Sequence, residues 1–326
     1  MKKRKLGKSG LEVSEIGLGC WQLGGDFGTV DDHRAAQTLA EADLRGINFW
    51  DTADVYGGGL SEQRIAGFLD VVETDVIVAT KVGRDGALYP DKYTKDAVRA
   101  NIQGSLERLQ VESLDLVQLH CVPSEVLQAG DILAWMEDFR SEGLLQHFGA
   151  SVETIDDALI AAKHPGLTSL QIIFNLFRQD AIERLFPVAE ANDVGIIVRL
   201  PLASGVLAGK MSLDTHFEKT DHRHYNRNGE FFSQGETFSG IPFEKALELV
   251  EHLREMVPEG MTMAQMAMRW LLDQDAVSTV ITGSSKPEQV AENASVSDLP
   301  RLSAELHAKL TYFYWAEVEP AICTPV

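Results

Sequence analysis

The sequence predicts an α/β fold built on a buried parallel sheet, and three observations carry that expectation. Short β-branched apolar runs recur along the chain. Segments with helical apolar spacing separate them, which implies right-handed βαβ units. No linker, low-complexity tract or internal repeat divides the chain, so one domain spanning residues 1–326 is expected.

The runs, in order, are Val13 to Leu18, Ile47 to Trp50, Val76 to Ala79, Leu114 to Leu119 and Gln146 to Ala150, then Leu170 to Ile173, Val194 to Val198 and Thr279 to Ile281. Between them lie helical stretches. Thr94 to Leu109 carries Val98, Ile102, Leu106 and Leu109 on one face behind Thr94 as N-cap. Thr262 to Leu272 carries Ala264, Ala267, Met268 and Leu271. About eight strand–helix units allow a closed (β/α)8 TIM barrel or an open doubly wound sheet. One connection is unusually long, from about Ala203 to Pro242, and loops of that length serve as lids or binding loops or stay disordered. Pro320 to Val326 has no usable pattern.

Of 326 residues, 44% are apolar and 24% charged, an ordinary globular balance. With 29 Lys and Arg against 49 Asp and Glu, the formal net charge is −20. Such an excess repels phosphodiesters and anionic lipid, which argues against nucleic-acid or membrane partners. Three cysteines, Cys20, Cys121 and Cys323, lack Cys-x-x-Cys spacing, so neither a disulfide framework nor a thiolate zinc site is expected. The basic start Met1 to Lys5 has no apolar region behind it, and no stretch approaches the roughly 20 apolar residues of a membrane span. A cytoplasmic location fits these features. Oligomeric state is not legible.

The glycine runs do not encode a nucleotide fold by themselves. Gly17-Leu18-Gly19 lacks the third glycine of a dinucleotide fingerprint, and Gly57-Gly58-Gly59 lacks the spacing. Gly205 to Met211 mimics a phosphate loop but spaces its glycines too closely and puts Met211 where a hydroxyl must bind magnesium. Asp214, His216, Asp221, His222 and His224 offer metal-ligand chemistry, but Arg223 sits among them and a solvated loop is the plainer reading; no metal is expected. His120 and Cys121, adjacent on a strand, should point to opposite faces and so not form a nucleophile pair.

More informative is where polar residues fall. Asp51, Lys81 and His120 end three successive apolar runs, and Ser151, Asn175, Arg199 and Gly283 hold comparable places after later ones. Side chains at the C-terminal ends of parallel strands converge where α/β barrels place their chemistry. Tyr56 follows Asp51 in a glycine-bounded turn. A phenol is a weak acid at neutrality; an ammonium beside it, from Lys81, would lower its pKa, and Asp51 would hold that ammonium. With His120 on the substrate oxygen, the four would deliver a proton to a carbonyl.

These residues sit in motifs that resemble the aldo-keto reductases. Phe49 to Gly57 followed by Ser61-Glu62 is similar to that family's first signature, while Ala79-Thr80-Lys81 and Leu119-His120 match the rest of its catalytic tetrad. The likeness continues through Gly149-Ala150-Ser151, Gln171, Asn175, Pro201 to Lys210 and Gly283 to Asn293, from about Leu6 to Leu310. The resemblance implies the (β/α)8 barrel, and an NADP(H)-dependent oxidoreductase interconverting an aldehyde or ketone with its alcohol. Tyr56 would be the general acid, tuned by Lys81 and Asp51, with His120 orienting the carbonyl. Ser151, Asn175 and Gln171 would lie near the nicotinamide. The segment Leu202 to Lys210, with Leu202, Ser204, Gly205, Leu207, Gly209 and Lys210, would pass the pyrophosphate, and Pro201 would also contact the cofactor. Ser284, Ser285, Lys286 and Gln289 would surround the adenosine phosphate, Glu292 and Asn293 would reach the adenine, and Gly283 would also contact the cofactor. Trp21 would shape the substrate and cofactor site together with the long loop.

The chain also departs from the family pattern. Val152 replaces an Asn, Thr282 a Pro, and Arg199 the aromatic residue expected against the nicotinamide; a guanidinium can stack on a planar ring but adds charge there. Gln289 stands where some members carry an Arg for the 2′-phosphate, a role Lys286 can take, so NADP(H) is expected ahead of NAD(H). A nucleotide-sensing subunit on the same barrel is the alternative reading, since fold does not fix function.

Overall fold

In a computed structural model, residues 1–25 and 30–324 are described. Eight strands close into a parallel barrel in chain order: β3 (Ile16–Gly19), β4 (Phe49–Asp51), β5 (Ile77–Val82), β6 (Leu114–His120), β7 (Leu145–Ser151), β8 (Ser169–Ile173), β9 (Gly195–Arg199) and β10 (Val277–Gly283), with β10 returning to β3. The closed alternative is therefore the correct one. The expected first strand splits in two. Glu12–Ser14 pairs antiparallel with Lys3–Lys5 as a hairpin, strands β2 and β1, and only Ile16–Gly19 enters the barrel. The basic N-terminus is thus a strand. Its Arg4 side chain bonds Glu15 and the carbonyls of Leu272, Gln274 and Val277, tying the hairpin to the last helix–strand unit.

Strand side chains alternate between two separate apolar clusters. Trp50, Val78, Val117, Phe148, Leu170, Val198 and Val280 pack outward in the large cluster under the helices. Phe49, Ala79, Leu116, Ile197 and Ile281 point inward and, with Leu6 and Val13 from the hairpin, fill the barrel's lower end. One step further along, the inward positions change chemistry: Asp51, Lys81, Gln118 and Gln171 form a buried polar layer. Gly149 completes it by leaving room, since a Cβ there would stand 2.3 Å from Ser169 Oγ. A closed barrel has no unpaired edge, so each strand's backbone is satisfied while its tip still reaches the mouth.

The expected helices are present, with Thr94 and Thr262 capping Lys95–Leu109 and Met263–Leu272; Thr262 and Gln265 form a reciprocal capping box. The long 203–242 connection contains helical turns at Ala203–Ala208, His222–Tyr225, Gln234–Glu236 and Phe238–Gly240. The C-terminal segment closes on it. The Cys323 amide donates to the Gly240 carbonyl, and Arg178 reaches Thr324. Among the described residues, no helix is long and apolar enough to cross a membrane.

Candidate active site at the barrel mouth

Strand register brings the predicted quartet together. Lys81 Nζ donates to Asp51 Oδ1 at 2.5 Å, to the Thr52 carbonyl at 2.8 Å and to the Tyr56 hydroxyl at 3.2 Å. An ammonium has three hydrogens, and all three are used. Tyr56 Oη therefore accepts from Lys81 and keeps its own hydrogen for something else. His120 packs edge-on to the Tyr56 ring at 5.9 Å, and its Nδ1 is buried with no partner among the described residues.

Local backbone geometry sets the Tyr56 position. Gly57 has φ +59°, and a Cβ there would lie 2.4 Å from the Gly24 carbonyl oxygen. The turns after β3 and β4 thus clasp glycine to glycine, and Trp21 stacks on Tyr56 at 5.7 Å. Ser61 and Glu62 of the signature act from behind. Ser61 links Thr52 to the Cys20 carbonyl, and the buried Glu62 binds Arg108 and the Thr80 hydroxyl beside Lys81.

The electrostatics depart from expectation at Tyr56. Lys81 does pull the phenol down, but burial outweighs it, and the group is pushed up to about 12. The phenol holds its proton at neutrality and is a donor at rest. Burial alone would drag Lys81 down as well, yet Asp51 and Tyr56 more than offset that and its shift is upward. Burial, then Arg84, Lys81 and Arg199, hold the His120 imidazole well below its usual value, so it is neutral at physiological pH.

Behind the quartet lies an amide pair. Gln118 Nε2 and Gln171 Nε2 both donate to Asp51 Oδ2, at 2.9 and 2.7 Å, and Gln171 Nε2 also donates to Gln118 Oε1 at 3.0 Å. With its NH2 committed inward, Gln171 presents its carbonyl oxygen to a cavity of about 340 Å³ that it helps line.

Of the predicted cofactor residues, Trp21, Ser151, Gln171, Arg199, Pro201, Leu202, Ser204, Gly205, Gly283, Ser285, Gln289 and Asn293 border this cavity. Others do not. Asn175 is fully buried, its amide bonded to the Leu200 carbonyl and Ser239 and its oxygen to the Phe177 amide, so it holds a turn. Leu207 lies in the core, and Gly209 ends a helical turn. Lys210, Lys286 and Glu292 are exposed, and Ser284 is buried against Asn293. The helix expected behind Ser284 and Ser285 begins at Pro287, with Lys286 at the N-cap.

Arg199 is no lone cation. Its guanidinium lies 3.5 Å from Glu236 and donates to the Val152 carbonyl, while Arg84 binds Glu236 at 3.1 Å and also Glu153. Sequence reading missed Arg84 and Glu236. Arg84 stands three residues past Lys81, a faint signal; Glu236 sits in the long loop and gives none. Cys121 also corrects an expectation. Its φ of +48° breaks the alternation just past the strand end, so the thiol borders the same cavity as His120 and lies 3.8 Å from Ser151 Oγ. Among the described residues, Cys121, Glu153 and Glu236 form the group with metal-ligand spacing, with Arg84 bound to both carboxylates; the loop histidines do not converge on one another. His222 instead packs on Trp21 near Ser204.

Fold and site together define a (β/α)8-barrel protein with a lysine-tuned tyrosine at the C-terminal mouth. The aldo/keto reductase family model matches residues 15–314. The chain is 33% identical over 313 residues to the uncharacterized oxidoreductase YqkF of Bacillus subtilis, covering 94% of each. It is 25% identical to the NADH-specific methylglyoxal reductase of Escherichia coli, over 92% of this chain and 94% of that one. The holo form of the aldo-keto reductase AKR11C1 from Bacillus halodurans superposes with a TM-score of 0.77 at 26% identity, covering 96% of both chains. The chain belongs to the aldo/keto reductase family of oxidoreductases.

Proposed function

We propose that the protein interconverts aldehydes or ketones and their alcohols with NADP(H), Tyr56 acting as the general acid and base. The observation that carries this reading is the saturated Lys81 ammonium, which spends one hydrogen on Tyr56 Oη and so turns the phenol's own proton toward the cavity. The nicotinamide cofactor supplies the hydride when bound. The chain's residues do the rest. Neutral His120 donates to the carbonyl oxygen and orients it. Tyr56 gives that oxygen its proton, and Lys81 stabilises the phenolate left behind. Asp51 keeps Lys81 charged and aimed.

The site's donors and acceptors fit the cofactor. Gln171 Oε1 faces the cavity as an acceptor for a carboxamide NH2, and Ser151 stands beside it. Gly205 allows close backbone approach where the pyrophosphate would run, and Gly283 borders the same cavity. Lys286 at the start of the Pro287–Ser295 helix supplies a cation for a 2′-phosphate, which favours NADP(H) over NAD(H). The Arg199 charge beside the ring is compensated by Glu236.

Replacing Tyr56 with Phe removes the proton donor and little else. Turnover of a good carbonyl substrate should fall by about 100-fold or more, with cofactor affinity changed less than about threefold. A variant that reduces the substrate at the wild-type rate removes Tyr56 from the mechanism. Tight NADPH binding with no turnover of any carbonyl by the wild type would favour a nucleotide-sensing role.

A further inference from the structure

We propose that Gln118 is a positioning residue for this reaction. It orients the Asp51 carboxylate through one hydrogen bond and locks Gln171 through a second. The inference rests on the functional reading above. Gln118 is fully buried and does not border the cavity, so it touches neither substrate nor cofactor. It lies on β6 two residues before His120, and its register partner across the sheet is Lys81. From that place its NH2 donates to Asp51 Oδ2 at 2.9 Å, and its Oε1 accepts from Gln171 Nε2 at 3.0 Å.

The three-way geometry has a consequence for each carboxylate oxygen. Asp51 Oδ2 is held by two amides, which leaves Oδ1 facing Lys81 at 2.5 Å. Without Gln118, Oδ2 keeps the Gln171 bond alone and the carboxylate gains a rotation that swings Oδ1 off the ammonium. Gln171 also loses the acceptor for its second hydrogen, so its amide is held toward Asp51 by one bond instead of two and is less firmly oriented toward the cavity. A glutamine is suited to this place because it donates and accepts at once. Leucine has the volume but neither function. A carboxyl has the shape, donates only when protonated and repels Asp51 when ionised. The charged groups sharing this layer are Asp51 and Lys81, with His120 one layer above.

The test is a kinetic and structural comparison of wild type, Gln118→Leu and Gln118→Glu on the intact chain. For Gln118→Leu, kcat should fall about 10- to 100-fold while the KM for the carbonyl stays within about threefold. For Gln118→Glu, kcat relative to wild type should depend on pH, near wild type at pH 5 and about tenfold or more lower at pH 8, as the introduced carboxyl ionises. A packing role alone would give the same loss at every pH. The proposal is overturned if both variants stay within twofold of wild type, or if Gln118→Glu loses activity equally across that range. Wild-type protein that reduces no carbonyl would defeat the functional reading, and the crystal structure of Gln118→Leu would then decide the positioning role. Asp51 turned from Lys81, or Gln171 rotated, sustains it; both unmoved overturns it.

Discussion

Asp54 lies two residues before Tyr56, buried and beside Glu62, and forms no ion pair among the described residues. Burial, then Glu62, push its carboxyl up to about 7. The ordinary carboxyl titrates near 4, so between about pH 4 and 7 the folded chain keeps a proton that the unfolded chain has released. Folding stability contributed by this group is therefore lost as pH rises through that window. Asp54→Asn should stabilise the fold at pH 8, on the order of a few kcal/mol at most and read as a raised Tm, and change it little at pH 4. An unchanged Tm at pH 8 would mean that the ionised carboxylate is solvated after all. Tyr56 and His120 follow the same logic to a different end: burial keeps the phenol protonated and the imidazole neutral, so both can donate a hydrogen bond at neutral pH.

Among the elements, the segment after β9 does the most unusual work. Leu200, Ala203 and Ser204 all have positive φ, which bends the chain sharply around the mouth at residues that resist that conformation. The rest of the connection is held down by charge. Glu236 is buried between Arg84, beyond β5, and Arg199, at the end of β9, and it straps the long loop across the barrel mouth. These arginines hold its carboxyl below the usual range despite burial. Glu236→Ala would leave both guanidiniums without that partner, at a cost of about 3 kcal/mol or more in urea unfolding. Glu236→Gln should cost less, because an amide still accepts. A loss under 1 kcal/mol for the alanine variant would show that the loop is held by its aromatic packing instead.

For the whole molecule, acid sensitivity follows from the histidines. Burial holds His120, His147, His164 and His222 below the ordinary value, His222 to about 4. Once unfolded they titrate near 6.5, so below that pH the unfolded chain binds protons the folded chain refuses. Stability should fall as pH drops from 7.5 to 5.5, by roughly 1–3 kcal/mol, carried mainly by the enclosed His120 and His222. Asp54 opposes this trend over the same range with the opposite sign. Urea midpoints at the two pH values measure the balance, and equal or greater stability at pH 5.5 would contradict it.

Periodicity alone determined the alternation of strands and helices, and the motifs around Asp51, Tyr56, Lys81 and His120 pointed to the site. Strand identity depends on local runs of apolar residues, and strand ends share one face by topology, so both are written in short stretches of chain. Parity also marks Gln118, two residues before His120 on the same inward face. Closure of the barrel was beyond periodicity, because an open sheet and a closed one bury the same runs. The pairing of Glu236 with Arg84 and Arg199 was decided only by tertiary structure, since the residues lie far apart in the chain. So was the net upward shift of Tyr56. An ammonium nearby is a matter of sequence pattern, but how completely water is excluded depends on everything packed around it.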